Sequence, residues 1–277
     1  MKKDSFPPLE ERSAEPPLTL GLHGGHGQHD RQEMLQESTR TSIDLMMQDP
    51  YPLLGELSKE EPFTLDLSDN TTLDHALLTN QTLLQEYIDR ECFSGKKWGI
   101  GGYLEYRSQF LGHFPQAHQK RFYHLGLDIT APAHTRIHAP IEGIVFQSGY
   151  EEGEGNYGGY VVLLHERKNH DPLYSFYGHL DNASQPVVGQ KIQKGEVFAS
   201  IGDMDSNGHW FYHVHLQLLT QKGVDEGWIE RGNCTREQLA TIRELCPVPH
   251  VLFTPSMPRD GGLSLTYSKD LRKLLPL

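Results

Sequence analysis

The chain has 277 residues and carries 25 lysines and arginines against 37 aspartates and glutamates, a net charge of −12. That balance argues against a nucleic-acid partner, because phosphate-backbone binding needs a positive footprint, and no stretch approaches the ~20 apolar residues of a membrane helix. The length suits one sizeable core, or one core with an appendage, and 27 glycines with 17 prolines favour strands and turns over long helices.

In chain order, the opening MKKDSFPPLEERSAEPP has two lysines but no apolar run after them. The expectation is a cytoplasmic protein, or one exported by a route that uses no such signal; action on a cell wall would place it outside the cytoplasm. Residues 1–32 are rich in proline, glycine and charge and are expected to be disordered. His23, His26 and His29 in LGLHGGHGQHD read as a flexible, weakly metal-binding tract, not a site. Residues 33–102 are expected to form a helical extension. Arg31 to Met47 is weakly amphipathic. From Leu73 to Cys92, Leu73, Leu77, Leu84 and Ile88 recur at helical spacing, and Thr71 with Asp74 gives a capping-box pattern. From Tyr103 the texture changes to short apolar runs (GIVF, YVVLL, YSFY, EVFASIG, HVHLQLL) separated by Gly, Asn and Asp. That is an antiparallel β pattern, expected over residues 103–220. Residues 221–277 are expected to be a mixed tail packed on this domain, with one short helix from Arg236 to Cys246. Cys92, Cys234 and Cys246 form no CxxC pair, and an odd count excludes a fully paired framework. Idle thiols are the expected state; a Cys234–Cys246 bridge is the alternative in an oxidising compartment.

Two segments have ligand spacing. In YHLGLD, His124 and Asp128 are four apart and share a face in a strand or a helix. Gly126 lies between them on that face and is read as leaving room for an ion. In GHWFYHVHLQL, His209, His213 and His215 all fall on odd positions, and a His–x–His pair on a second strand can supply a third ligand. His, Asp and His give mixed N and O donors with a coordination position left open, the arrangement of a catalytic zinc site, and no thiolate is present to suggest a structural one. Neither segment is specific alone.

Together with their surroundings they resemble the zinc metallopeptidases of the LytM and lysostaphin type, the M23 family. The likeness runs from His124 to Gln217. HLGLDITAPAHTRIHAPIEGIV resembles that family's HxGxD and the strand after it, and NYGGYVVLLHE its glycine-led central strand. LYSFYGHL resembles its YxHL strand, VVGQKIQKGEVFASIGD its glycine-punctuated hairpin, and HVHLQL stands where it has HLHFE. The resemblance implies a mainly β fold: an antiparallel β sandwich or hybrid barrel of the duplicated hybrid motif type, with added N-terminal helices and a mixed C-terminal tail. It implies one Zn²⁺ per chain held by His124, Asp128 and His215, with His213 as a catalytic imidazole beside the metal and His179 as its partner. The implied activity is endopeptidase action on peptidoglycan cross-links or related peptides.

Other histidines have plainer readings: His209 in a turn, His134 and His138 as bystanders, His165 packed and hydrogen-bonded. Trp210, Phe211 and Tyr212 suit either a groove wall or core packing. Gln217 departs from the family's glutamate, which would weaken a bond to a ligand histidine. Two competing classes are a non-catalytic M23-like binding or activator module, which the complete ligand set speaks against, and a sugar-uptake phosphocarrier domain, in which HVHLQL and YGHL have no counterpart.

Overall fold

The computed structural model describes residues 50–183 and 185–252. The expected disordered segment 1–32, the helix over Arg31–Met47 and the end of the tail lie outside the described residues. What is described is mainly β, as expected. The strands are β1 (Phe63–Thr64), β2 (Gly99–Gly101), β3 (Tyr123–His124), β4 (Leu127–Thr130), β5 (Arg136–His138) and β6 (Gly143–Glu151). They continue with β7 (Gly158–Arg167), β8 (His170–Leu180), β9 (Lys191–Ile192), β10 (Val197–Ser200), β11 (His213–Thr220) and β12 (Asn233–Cys234).

Eight strands form one sheet in the order β1-β2-β4-β11-β8-β7-β6-β9; β10 pairs with β5, and β12 with β3. Every pairing is antiparallel except β1 with β2, which is parallel, so the sheet is mixed. β11 lies between β4 and β8, and His213 through Leu219 are all buried. A strand covered on both faces reads as an almost continuous apolar run, and VHLQLL is one, interrupted only by the polar residues that build the site.

The helical reading of residues 73–92 needs correction in its details. A short helix, α1 (His75–Leu78), ends at Thr79, and a second, α2 (Gln81–Tyr87), begins at Asn80 and runs into a π-helical turn, Ile88–Cys92. The break is caused by Asn80, whose side chain accepts from the Leu83 N–H at 3.0 Å and so starts a new helix. Asp74 precedes α1 without a side-chain cap bond, and Thr71 Oγ1 accepts from the Leu73 N–H instead, so no capping box forms. The helix expected over Arg236–Cys246 is likewise two pieces, a 3₁₀ turn at Glu237–Ala240 and α3 (Ile242–Leu245). All three cysteines are free, with Cys234 and Cys246 buried.

Two apolar clusters hold the described residues together. The larger unites the sheet residues with Trp228, Ile229, Cys234, Ile242, Leu245 and Cys246 from beyond β11. The smaller contains Leu65, Leu67, Leu78, Leu84, Ile88, Phe110 and Phe114, and meets the sheet through Trp210 and Phe211 at the entry to β11. Polar contacts reinforce that meeting: Gln81 Oε1 accepts from the Phe211 N–H and Gln85 Oε1 from the Tyr212 N–H.

Candidate metal centre

Strand register assembles the site. His215 on β11 lies opposite Asp128 on β4 and Gly178 on β8. Directly opposite residues of an antiparallel pair project to the same face, so these pairings put Asp128, His215 and the end of β8 together. His179 follows Gly178 with φ +62, a left-handed backbone that a non-glycine residue adopts at a cost. Gly158 (φ +61) makes room for the 203–208 turn that carries its partner, since a Cβ there would lie 2.3 Å from the Ser206 carbonyl oxygen. His124 comes from β3, outside the large sheet.

His124 Nε2, Asp128 Oδ1 and His215 Nδ1 converge. The separations are 2.9 Å between the two nitrogens, 3.2 Å from His124 to Asp128 and 3.3 Å from His215 to Asp128. His213 Nε2 lies 3.5 Å from the same Asp128 oxygen, and the His179 and His213 rings are 4.4 Å apart. All five side chains are buried. A cavity of about 290 Å³ opens on them.

The outer contacts fix each ring. His124 Nδ1 donates to the Gly102 carbonyl at 2.9 Å, His213 Nδ1 to the Phe211 carbonyl at 2.8 Å, and His179 Nδ1 to the Asn207 carbonyl at 2.9 Å. A carbonyl only accepts, so each of these three rings carries its proton on Nδ1 and presents a bare Nε2. His215 is oriented the other way round. Its Nε2 donates to Gln217 Oε1 at 3.1 Å, and Gln217 Nε2 in turn donates to the carbonyls of Arg231 (3.3 Å) and Trp228 (3.4 Å). Those carbonyls settle which way the Gln217 amide points, and hence that the bare nitrogen of His215 is Nδ1.

Three acceptors therefore face one another with no proton between them. Burial, then the charge of Arg107, holds His124 down to about 4, and burial holds His213 down to about 4, so neither supplies a proton near neutrality. Burial opposes ionisation of Asp128, but the buried Arg107 guanidinium on its Oδ2 favours the carboxylate, which stays well below the usual carboxylate range. Such a constellation calls for a cation. Ligands about 2.1 Å from a tetrahedral ion stand roughly 3.4 Å apart, close to the separations found, so the donor set fits a metal. His124, Asp128 and His215 are the group of described residues that could hold one.

Several participants were not legible in the sequence. Arg107, buried, donates to Asp128 Oδ2 at 2.6 Å and to Glu105 Oε2 at 2.9 Å, fixing the carboxylate oxygen that faces away from the histidines. Tyr157 lines the cavity beside His179 and His215, and its buried hydroxyl has no hydrogen-bond partner among the described residues. Arg231, Gly232 and Asn233 form a wall, because β12 pairs Asn233 with His124.

Gly126 has a different purpose from the one its position suggested. A Cβ there would lie 2.5 Å from His215 Cε1, so its bareness admits the His215 ring, not the ion. Gln217 is explained too. A glutamate could accept from His215 but would turn a second oxygen towards the Trp228 and Arg231 carbonyls, whereas the amide donates to them. Trp210 and Phe211 fill both of their alternatives, being buried and lining the cavity with Phe110 and Phe114. His209 is exposed in a turn at φ +65. His134 is exposed against Asp181, and His138 donates to the Gly195 carbonyl. His165 is buried, with one nitrogen on the Glu142 carbonyl and the other on Ser175 Oγ.

The fold and site define a β domain built around a buried His–Asp–His centre with two further imidazoles beside it. Residues 122–225 match the sequence model of Peptidase family M23. No curated protein matches the chain. Among solved structures it is similar to the catalytic domain of the antimicrobial peptidase lysostaphin from Staphylococcus simulans, at 20% identity over 36% of this chain and 68% of that one, TM-score 0.29. It is also similar to a mutant catalytic domain of the prophage-encoded M23 protein EnpA from Enterococcus faecalis, at 24% identity over 42% and 78%, TM-score 0.31. A zinc-containing peptidase from Vibrio cholerae shares 22% identity over 36% of this chain, but only 28% of that one is spanned, TM-score 0.29.

Proposed function

We propose that this protein is a zinc-dependent endopeptidase that hydrolyses peptide bonds in peptidoglycan cross-links or related peptides. Residues 103–220 would form its catalytic domain, with residues 33–102 and 221–277 as its flanking extensions. The observation that carries the reading is the convergence of bare His124 Nε2, Asp128 Oδ1 and His215 Nδ1, with two more bare imidazole nitrogens alongside. A binding module has no need of the latter pair.

His124, Asp128 and His215 would hold one Zn²⁺. When bound, the ion acidifies water and polarises a carbonyl. His213 presents Nε2 to accept the proton of the attacking water, its Nδ1–H anchored on Phe211. His179, anchored on Asn207, is the second imidazole and, once protonated, a donor to the oxygen of the tetrahedral carbon or to the leaving amine. Arg107 keeps Asp128 ionised and turned towards the histidines.

The test separates holding from turnover. His215→Ala should lose zinc by elemental analysis. His213→Ala should retain about one ion per chain yet lose at least ~100-fold in cleavage of purified cross-linked muropeptides. Equal loss of metal in both variants would refute the division of roles. A zinc-replete wild type that cleaves no muropeptide would favour the non-catalytic module.

A further inference from the structure

Arg121 and Arg231 both line the cavity that holds the His–Asp–His centre. Both lie outside the stretch that matches the M23 model, one just before residue 122 and the other beyond residue 225. Pairing of β12 with β3 joins the segments that carry them. Neither makes an ion pair among the described residues, although the chain has far more acids than bases and other surface cations do find partners: Lys59 with Glu56, Lys96 with Glu61, Lys97 with Glu60 and Lys222 with Glu244.

The three carboxylates that line the same cavity form ion pairs with neither arginine. Asp128 is shared by Arg107 and the histidines, Glu151 accepts from the Tyr157 N–H, and Glu230 is exposed. Arg231 is held in place by Trp228, its guanidinium carbon 5.0 Å from the ring centroid. Partial burial, then the nearby charge of Arg231, lowers the Arg121 pKa, as expected of two cations whose charges nothing neutralises. A guanidinium fork matches a carboxylate in two-point geometry, and two arginines lining one small cavity offer it an anion site.

We propose that Arg121 and Arg231 form a carboxylate-binding subsite, so that the peptide reaching the His–Asp–His centre carries a free carboxylate within the same cavity. This rests on the peptidase reading for the nature of the ligand. The carboxylate has two sources in a peptide: the chain terminus, which would direct cleavage to bonds near a free end, or an acidic side chain, which would select sequence within a longer substrate.

The experiment measures binding to the metal-free full chain, where a carboxylate cannot coordinate an ion. The probes are a synthetic stem pentapeptide with all carboxylates free, the same peptide amidated at its terminus, and the same peptide amidated at its glutamate. One of the two amidations should weaken binding by about ten-fold or more, and which one names the source. Arg121→Gln and Arg231→Gln should each abolish the difference between acid and amide, with Arg→Lys at either position keeping part of it. Equal affinity for all three peptides, no binding of the free acid, or an undiminished preference in both Gln variants overturns the proposal; the wild-type comparison stands even if a variant fails to fold. If the preference depends on the arginines but the zinc-loaded chain cleaves none of the peptides, the subsite stands and the peptidase reading fails.

Discussion

The aromatic wall of the cavity, Phe110, Phe114, Trp210 and Phe211, belongs to the smaller apolar cluster, which the N-terminal helices complete without drawing on the sheet's own core. A second wall, Arg231 to Asn233, comes from a segment that buries Trp228, Ile229, Cys234, Ile242, Leu245 and Cys246 in the main core. One flank is a satellite joined at the entry to β11; the other is structurally part of the β domain, although the family match ends at residue 225. Sequence similarity and the physical extent of a folding unit are different quantities. The C-terminal segment also reaches the site's chemistry, because its backbone carbonyls orient Gln217 and, through it, His215.

The most severe way to break the comparison is truncation. A chain ending at residue 225 retains the whole matched stretch but loses nine buried residues of the main core, and should give no cooperative unfolding transition and no stoichiometric metal; a stable, metal-binding truncate would show the segment to be an appendage. Phe211→Ala comes next. It removes a fully buried ring from the satellite cluster and should destabilise by about 3–5 kcal/mol in denaturant unfolding, while the folded fraction keeps its metal, because the Phe211 carbonyl that anchors His213 remains. Gln217→Glu sharpens the other side. Setting a carboxylate against the Trp228 and Arg231 carbonyls should cost about 1–3 kcal/mol and shift zinc affinity about ten-fold; unchanged melting and affinity would mean that the amide contacts carry nothing. Asn80→Ala should be mildest, about 1 kcal/mol, seen as a small fall in melting temperature with normal metal content.

Much of the β domain was legible because short-range pattern determines it. GIVF, YVVLL, YSFY and HVHLQLL fall within β6, β7, β8 and β11, and His124, Asp128 and His215 meet as their spacing and context suggested. Strand parity alone made His209, His213 and His215 equivalent; the family context read His209 as a turn residue, and it lies exposed in a turn at φ +65. Arg107 carries no periodic signal, and the Asp128 it serves is 21 residues away. Gly126 was assigned to the wrong neighbour because the His215 ring that occupies its space comes from a distant strand. In the N-terminal helices the recurrence of Leu77, Leu84 and Ile88 concealed a cap at Asn80 that interrupts the run. What was missed is tertiary for Arg107 and Gly126 and local for Asn80.

The link from Gln217 to the Trp228 and Arg231 carbonyls has a consequence for biosynthesis. A ribosome delivers His124, Asp128 and His215 before it delivers residues 228–246, so a nascent chain can expose all three prospective ligands while the segment that orients His215 is still inside the tunnel. Domains fold as units once their sequence has emerged. The imidazole that completes the centre thus acquires its orientation only after Trp228 and Arg231 have emerged and their segment has packed.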